Sequence, residues 1–294
     1  MSESIGVAMA VVSSGVGGSA AAVTRYLAAG ADPIALGTVR FGLGFLIVLP
    51  IAAAARVRWP RLQDWPGVAG LGVIFFGIAV VLYNIALRYT TAARGTLALS
   101  TLPLLTMVVG AAFGVESLSY RKALGVLVAM LGVAVALAAG VHGAPAGAWR
   151  GELIMLGTSL CMAVYNVWSR PFIDRSSALG FLTVGMGAGA IALTLVGWFS
   201  SAFGTVSEFS TQEWIAGLYL GAGGGALAFV LWILALQRTT PTRVAVTMTV
   251  NPVSAAVVAM VLLNEPITYS FMLGLITVCA GIWIAASDPR EGTQ

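Results

Sequence analysis

The 294-residue chain has few of the residue types on which soluble domains and most enzymes depend. Charged residues make up 9% of it, whereas a soluble domain carries about a quarter. Its single histidine, His142, lies beside glycine and proline, which excludes a buried Ser–His pair. Cys161 and Cys279, its two cysteines, fall inside apolar stretches and are interpreted as small core residues. Neither an enzyme nor a disulfide or metal site is predicted, and no cofactor is expected.

Acidic residues are also scarce, and none is expected at membrane depth. This argues against an aspartyl protease and against a simple Asp/Glu proton relay. Glycine-rich strings such as GAGGGA precede no nucleotide-binding domain, so nothing indicates ATP coupling. The net charge of +4 is assigned to loop arginines that face lipid head groups, and no nucleic-acid partner is predicted.

Apolar residues, in contrast, make up 59% of the chain and occur in long runs. Many runs reach 18 residues, enough for a helix to cross roughly 30 Å of hydrocarbon. The pattern predicts an all-α integral membrane protein with ten transmembrane helices, called span 1 to span 10 below. The predicted spans are 5–25, 33–55, 65–87, 92–113, 121–141, 151–172, 178–203, 214–236, 241–263 and 267–287.

The two halves of the chain resemble each other at a fixed distance. ALRYTTAARGTLALSTLPLL from Ala86 matches ALQRTTPTRVAVTMTVNPVS from Ala235 at an offset of about 149, and the offset continues to Glu116/Glu265. Near the start it is about 145. Five spans per copy is an odd number, so the copies enter the membrane from opposite sides. Two inverted five-helix repeats, 1–145 and 146–294, are therefore predicted.

Arginine and lysine counts predict the orientation. With both termini in the cytoplasm of a bacterial inner membrane, ten basic residues are inside and four outside, as the positive-inside rule requires. "Inner" and "outer" below refer to these predicted faces. The outer four are Arg25, Arg88, Arg94 and Arg150; the inner ten are Arg56, Arg58, Arg61, Arg121, Lys122, Arg170, Arg175, Arg238, Arg243 and Arg290.

Each half ends in a recognisable sequence motif. ESLSYRKALGVLVAMLGV from Glu116 and EPITYSFMLGLITVCAGI from Glu265 resemble the final helix of EamA repeats, and each follows a proline-centred helix, STLPLL or TVNPVS. The chain therefore resembles the ten-helix carriers of the drug/metabolite transporter superfamily, and looks most like the YddG-type amino-acid exporters. Glu116 and Glu265 are expected at helix starts, near free backbone amides.

The resemblance implies a secondary carrier with a central cavity lined by spans 1–4 and 6–9. Alternating access would move a small molecule, most simply a neutral or aromatic amino acid, across the bilayer. It also implies a monomer or a weak homodimer. A drug exporter of the same superfamily remains an alternative, as does a pore or scramblase.

Arg40 is the charged residue deepest within a predicted span. An intramembrane arginine is costly and faces water or a partner. Its guanidinium could hold a substrate carboxylate through paired hydrogen bonds. Alternatively, it lies roughly 10 Å below the outer interface and snorkels up to it. The sequence leaves both interpretations open.

Polar residues beside prolines are the next candidates for a substrate site. Thr247 and Asn251 share a face of span 9 just before Pro252, and Thr101 precedes Pro103 in span 4. A proline leaves a carbonyl free to bind or allows the helix to bend. Alternatively, such hydroxyls only join helices. The remaining predicted substrate residues are Ser14, Tyr83, Asn84 and Tyr165, and the predicted hinge residues are Pro103, Pro252, Gly223 and Gly224.

Overall fold

The computed structural model describes residues 2–114, 147–236 and 250–286. In the first gap it also describes 120, 124–125, 127–128 and 131–132, and in the second gap 238 and 247–248. Every regular element in these ranges is helical, in agreement with the predicted all-α class. Span 5 is described only in fragments, and Arg243 and Glu116 lie outside the described residues. The helices are Ser2–Ala28, Pro33–Ala54, Leu62–Tyr89, Ala92–Leu99, Leu102–Ala112, Ala148–Arg175, Ala178–Phe199, Gly204–Ser207, Thr211–Leu236 as three consecutive segments, Val250–Leu263 and Tyr269–Ala286.

Six of the described helices are long and apolar enough to cross a membrane, those of spans 1–4, 7 and 8. Span 6 is a 28-residue helix, Ala148–Arg175, but it includes charged residues near both ends and is not among the six. Spans 9 and 10 contain shorter apolar helices. The chain is thus a multi-pass membrane protein, and the count of ten spans remains a prediction.

Helix starts recur at the repeat distance. Asp32 caps span 2 by accepting the N–H of Ile34, and Ser177 caps span 7 by accepting the N–H of Gly180. A side-chain oxygen at this position satisfies an amide that has no partner within the helix. The two caps are 145 residues apart, the offset found near the start of the chain.

Two helices contain a π-helical segment at corresponding places. Val73–Ala79 of span 3 and Leu220–Leu227 of span 8 both have the wider π winding. Their starts are separated by 147 residues, close to the repeat offset. Such segments are rare in proteins, and those that occur are often found at functional sites. The sequence analysis predicted a hinge at Gly223 and Gly224 but not this winding.

Span 4 is not one continuous helix, contrary to the prediction for 92–113. A turn at Ser100 and Thr101 divides it into Ala92–Leu99 and Leu102–Ala112. Pro103 has no N–H to donate to the carbonyl of Leu99, four residues earlier, so the hydrogen-bond ladder is interrupted at this point. The Thr101 N–H bonds instead to the Ala98 carbonyl at 3.1 Å. Discontinuous helices are typical of transporter substrate sites.

Close helix packing depends on glycine at a few positions. A methyl group at Gly18 of span 1 would overlap the carbonyl oxygen of Asn251 in span 9. Likewise, a methyl at Gly72 of span 3 would overlap the Gly185 carbonyl of span 7. Spans 1 and 9, and spans 3 and 7, therefore approach backbone to backbone, as small residues allow in membranes. Each of these contacts joins the two halves of the chain.

Candidate functional site

Arg40 points into the helix bundle. Its Nη2 donates a hydrogen bond of 3.3 Å to the Gly224 carbonyl of span 8. Its guanidinium carbon lies 5.2 Å from the ring centre of Phe41 and 5.7 Å from that of Tyr83 in span 3. Aromatic faces attract a cation within about 6 Å. These contacts join spans 2, 3 and 8 and place the guanidinium among helices, as the partner-facing interpretation requires.

Arg40 reaches a backbone carbonyl within the π-helical segment of span 8. In a regular α-helix that carbonyl would accept the N–H four residues on, whereas the π winding displaces this pairing. Gly224 has no side chain to block the approach: a Cβ there would lie 2.7 Å from Ala20 and 3.4 Å from Arg40 Nη2. The predicted hinge glycine thus provides close approach and an acceptor for Arg40.

Two tyrosines surround the guanidinium. The ring centre of Tyr83 lies 5.7 Å from the guanidinium carbon, and Tyr219 is close enough to contribute to the electrostatic surroundings of Arg40. The Tyr219 hydroxyl also forms a hydrogen bond with Ser19 of span 1. Among the described residues no Asp or Glu forms an ion pair with Arg40. The positive charge is therefore held by neutral dipoles and rings, and an anionic ligand could neutralise it.

Three buried side-chain atoms in the described part of the chain have no hydrogen-bond partner. They are Arg40 Nε, Asn84 Oδ1 and Asn251 Oδ1. A buried polar atom without a partner costs free energy, so each indicates water or a ligand. Asn84 is oriented by its other amide atom, because Nδ2 donates to the Pro33 carbonyl at 2.8 Å. All three belong to residues that the sequence analysis selected.

Asn251 lies against span 1 rather than beside Arg40. A Cβ at Gly17 would lie 3.1 Å from Asn251 Nδ2, which shows how closely the amide packs on span 1. Nearby, the hydroxyls of Ser14 and Thr247 are 3.3 Å apart. No hydrogen bond between Arg40 and Asn251 occurs in the described residues. Ser14, Thr247 and Asn251 therefore form a separate polar group between spans 1 and 9.

The other predicted residues have local partners. Thr101 donates to the Ala98 carbonyl at 2.7 Å within its own span. The Tyr165 ring is buried, with its centre 4.4 Å from that of Phe75 and 5.6 Å from that of Phe181. Pro252 is buried in the first turn of Val250–Leu263. Pro103 lies just after the break in span 4. Neither Thr101 nor Tyr165 forms a hydrogen bond or a cation–ring contact with Arg40 among the described residues.

Sequence reasoning missed two ion pairs at the outer ends of the helices. Arg94 Nη2 lies 2.7 Å from Glu152 Oε1, and both side chains are buried. Glu152 lies in the second turn of the helix of span 6 and was not selected by the sequence analysis. Arg25 Nε lies 3.4 Å from Glu265 Oε1. Arg25, Arg88 and Arg94 were assigned to outer loops but lie within end turns of helices.

Glu265 does not begin its own helix, contrary to expectation. The helix of span 10 starts at Tyr269, four residues later. Glu265 Oε2 instead accepts the N–H of Ala92 at 3.1 Å, and Ala92 is the first residue of span 4. The carboxylate therefore caps a helix of the other half of the chain. Only a tertiary contact could reveal this, because Ala92 is 173 residues away.

Two of the cavities among the described residues are lined by neither Arg40 nor Asn251. One, of about 460 Å³, lies in the outer half among spans 1, 8 and 9, beside Ser19 and Tyr219. The other, of about 180 Å³, lies at the inner ends of spans 2, 7 and 8. The central cavity that the resemblance implies remains a prediction. In the same part of the chain, no group of His, Cys, Asp or Glu is arranged for a metal ion.

The chain is similar to several transporters along nearly its whole length. It is 25% identical over 91% of its length to an uncharacterized transporter of Archaeoglobus fulgidus, covering 93% of that protein. It is 28% identical to a probable terminal-alkyne amino-acid exporter of Streptantibioticus cattleyicolor, over 74% of this chain and 72% of the exporter. A protein of known crystal structure shares the fold, with a TM-score of 0.66, 19% identity and coverage of 100% of this chain and 99% of that one.

A family model settles the relationship indicated by these similarities. The model of the EamA-like transporter family matches the chain twice, over residues 4–138 and 149–287. The two matches cover both halves of the chain, including Arg40 in the first and Asn251 in the second. Together with the helical fold and the transporter relatives, they lead to one conclusion: this chain belongs to the EamA-like transporter family.

Proposed function

We propose that this transporter is a secondary carrier for small carboxylate-bearing metabolites, most simply neutral or aromatic amino acids. The observation that carries the proposal is the Arg40 guanidinium, which lies inside the bundle without a carboxylate partner among the described residues and with Nε unbonded. A guanidinium forms paired hydrogen bonds with a carboxylate. A substrate carboxylate would complete the hydrogen bonding of Arg40 and neutralise its charge.

Asn84 and the tyrosines would form the rest of the site. Asn84 Oδ1 is a free acceptor in the same span as Tyr83, and an α-ammonium group needs such an acceptor. The Tyr83 and Tyr219 hydroxyls beside Arg40 could bond to the same ligand. The Streptantibioticus cattleyicolor relative, named a probable amino-acid exporter, supports an amino-acid substrate.

Alternating access in the cytoplasmic membrane is the proposed mechanism, with both termini in the cytoplasm. Two inverted repeats, 1–145 and 146–294, would exchange conformations around the site. The break in span 4 and the π-helical segments of spans 3 and 8 are places where helices could change their winding. Asn251, Thr247 and Ser14 would line the path along span 1. Pro103, Pro252, Gly223 and Gly224 would take part in the bending.

Counterflow in proteoliposomes tests the proposal. Vesicles loaded with a panel of unlabelled amino acids should take up a labelled member of the transported class in a saturable manner. Arg40→Gln should reduce this exchange at least about tenfold, because a hydrogen bond to a charged group contributes roughly 1.5–3 kcal/mol. Arg40→Lys keeps the charge but loses the paired geometry, and should be intermediate.

Arg150→Gln is the matched control, because Arg150 is exposed at the outer end of span 6. It should exchange like the wild type. The melting temperature of Arg40→Gln should stay within about 4 °C of wild type, a shift equivalent to roughly 1 kcal/mol. Normal exchange by a folded Arg40→Gln protein would refute the carboxylate site. Saturable transport of apolar cations, with amino acids inactive, would replace the proposal with drug export, and non-saturable flux would replace it with a pore.

A further inference from the structure

A second feature, away from Arg40, lies at the inner ends of the helices. It is an apolar crevice of about 180 Å³ between the segment after span 2, the start of span 7 and the inner part of span 8. Its residues lie at the predicted inner ends of these helices. The residues around it are Ala55, Val57, Ser177, Leu179, Val230, Ile233 and Leu234.

Three arginines lie in the chain segment that contains Ala55 and Val57 of the crevice, and none has an acidic partner among the described residues. Arg56, Arg58 and Arg61 are all exposed, and among the described residues none forms an ion pair. Asp64, the carboxylate nearest along the chain, is already taken by Arg175, with Asp64 Oδ1 2.7 Å from Arg175 Nη2 and Oδ2 3.2 Å from Nε. The segment that forms one wall of the crevice therefore carries three arginines that form no ion pair with the described residues, with the exposed Asp174 the other carboxylate in this region.

The arginine segment is anchored rather than loosely attached. Arg58 Nη2 donates to the Ser176 carbonyl at 2.9 Å, and the Arg58 carbonyl accepts both the N–H and the hydroxyl of Ser177 at 3.0 Å. A Cβ at Gly180 would lie 2.6 Å from that carbonyl, so the glycine permits the approach. Arg58 thus holds this segment against the start of span 7. The side chains of Arg56 and Arg61 make no hydrogen bond to the described residues.

Exposed aromatic and aliphatic side chains alternate with these arginines. Trp59 is 41% exposed, Leu62 82% and Trp65 45%. Tryptophan is enriched at the membrane–water interface, where its amphipathic ring lies at head-group level. The segment from 55 to 65 therefore has the composition of chain that lies in the interface, with its cations beside lipid phosphates.

We propose that this crevice and its arginines bind one anionic phospholipid of the cytoplasmic leaflet. The phosphate would lie at Arg56 and Arg61, and part of an acyl chain would fill the crevice between spans 2, 7 and 8. Both chemical parts of the site are needed, because a free anion would leave the apolar crevice empty and a neutral lipid would leave the arginines unpaired. The bound lipid would join the segment after span 2 to spans 7 and 8 of the other half of the chain.

Lipid retention measured by native mass spectrometry tests this site on the purified full-length protein. The wild type should retain phosphatidylglycerol in preference to phosphatidylcholine. Arg56→Gln/Arg61→Gln should weaken retention by about fivefold per arginine, since each basic residue near an anionic surface contributes about 1 kcal/mol. Ala55→Trp should also weaken it, because the indole would fill the crevice without removing a charge. Ala55 is exposed, so this substitution is compatible with folding.

Matched variants separate the site from general surface charge. Arg150→Gln removes an exposed outer arginine beside Trp149 and should retain the lipid fully. The melting temperature of the wild type should rise when phosphatidylglycerol is added, but not when inorganic phosphate is added. Equal retention in wild type, Ala55→Trp and the double arginine variant would overturn the proposal. Stabilisation by inorganic phosphate alone would overturn it in favour of a small-anion site.

Discussion

Arg25 and Arg88 each cap the carboxyl end of the other's helix. Arg25, in the last turn of span 1, donates from Nη1 to the carbonyls of Leu87 and Arg88 at 2.5 and 2.9 Å. Arg88, in the last turn of span 3, donates from Nε to the Ala28 carbonyl at 3.0 Å and also bonds to the Ala31 carbonyl. The last carbonyls of a helix have no partner within it and carry partial negative charge. The two arginines therefore supply hydrogen bonds to the terminal carbonyls of both helices.

Replacing Arg88 with Gln should destabilise the protein. The variant loses charge-assisted hydrogen bonds to the Ala28 carbonyl at the end of span 1 and to the Ala31 carbonyl in the connection that follows, and each such bond contributes roughly 1.5–3 kcal/mol. We expect a lower melting temperature in detergent, measured by tryptophan fluorescence. Arg238→Gln is the control, because exposed Arg238 makes one bond of 3.0 Å to a carbonyl of its own helix. Equal melting temperatures for the two variants would contradict the capping role.

The Arg94–Glu152 pair should behave as a buried ion pair. Its side chains are only 13% and 6% exposed, so replacing either residue removes an ion-pair partner from a site that solvent hardly reaches. Glu152→Gln and Arg94→Gln should each cost roughly 3 kcal/mol, and the double variant should cost less than their sum. Denaturant unfolding of the four proteins in a double-mutant cycle measures the coupling.

The Arg175–Asp64 pair provides the comparison for this cycle. Arg175 is 42% exposed, so solvent screens its attraction to Asp64. Hydrogen bonding to Asp64 raises the pKa of Arg175, and the residue stays charged. Arg175→Gln should therefore destabilise the protein much less than Arg94→Gln, as is usual for surface pairs. A larger loss than that of Arg94→Gln would show that burial does not set the strength of these pairs.

Glu265 should give the protein a specific pH dependence. Burial raises the pKa of its carboxyl, and the Ala92 N–H and Arg25 lower it only in part. Because the pKa is higher in the folded protein than in the unfolded chain, this group favours folding below about pH 4 and loses that contribution as the pH rises through the folded value. The melting temperature of wild type should therefore fall relative to that of Glu265→Gln as the pH is raised from about 4 to 7.

Glu208→Gln is the control for the pH series, because Glu208 is exposed in the segment between spans 7 and 8. It measures the effect of removing an exposed carboxyl group over the same range. If wild type instead gained stability over Glu265→Gln on raising the pH, the contacts with Arg25 and Ala92 would outweigh burial, and the carboxyl pKa would be lowered by folding rather than raised.

Gly18 and Gly15 form a matched pair for the contact between spans 1 and 9. A Cβ at Gly18 would overlap the Asn251 carbonyl and lie 2.9 Å from Ser254, whereas one at Gly15 would have no neighbour within 4 Å. Gly18→Ala should destabilise by about 3 kcal/mol through overpacking. Gly15→Ala should be neutral or gain up to about 1 kcal/mol of helix propensity. Thermal unfolding of both variants tests this. Equal melting temperatures would argue against close packing of spans 1 and 9.

Sequence reasoning was most successful where local chemistry decides the outcome. The predicted limits of span 2, 33–55, agree with the helix Pro33–Ala54, because a proline and the Asp32 cap mark its start. Span 7 begins at Ala178 as predicted, again directly after a cap. Sequence reasoning was less successful within span 4, where a continuous helix was expected and Pro103 divides it. Hydropathy measures how apolar a segment is, and it does not detect a change of helix winding.

Among candidate site residues, the sequence identified unusual side chains but not their neighbours. Arg40, Asn84 and Asn251 were selected because polar groups inside a membrane need partners, and all three retain an unbonded atom. Their grouping could not be predicted: Arg40 meets Gly224, 184 residues away, while Asn251 packs on span 1. Glu152 was not selected, because its pairing with Arg94 joins segments 58 residues apart and no local pattern indicates it.

The sequence by itself determined that this chain is a helical membrane protein, because composition and the length of apolar runs decide transfer into lipid. It also marked the helix starts and the residues too polar to face lipid. Only the tertiary structure decided that Arg94 meets Glu152, that Glu265 caps span 4 and that Arg40 lies against the π-helical part of span 8. Such pairings depend on the rotation and separation of whole helices, which packing between distant segments sets and which no local pattern encodes.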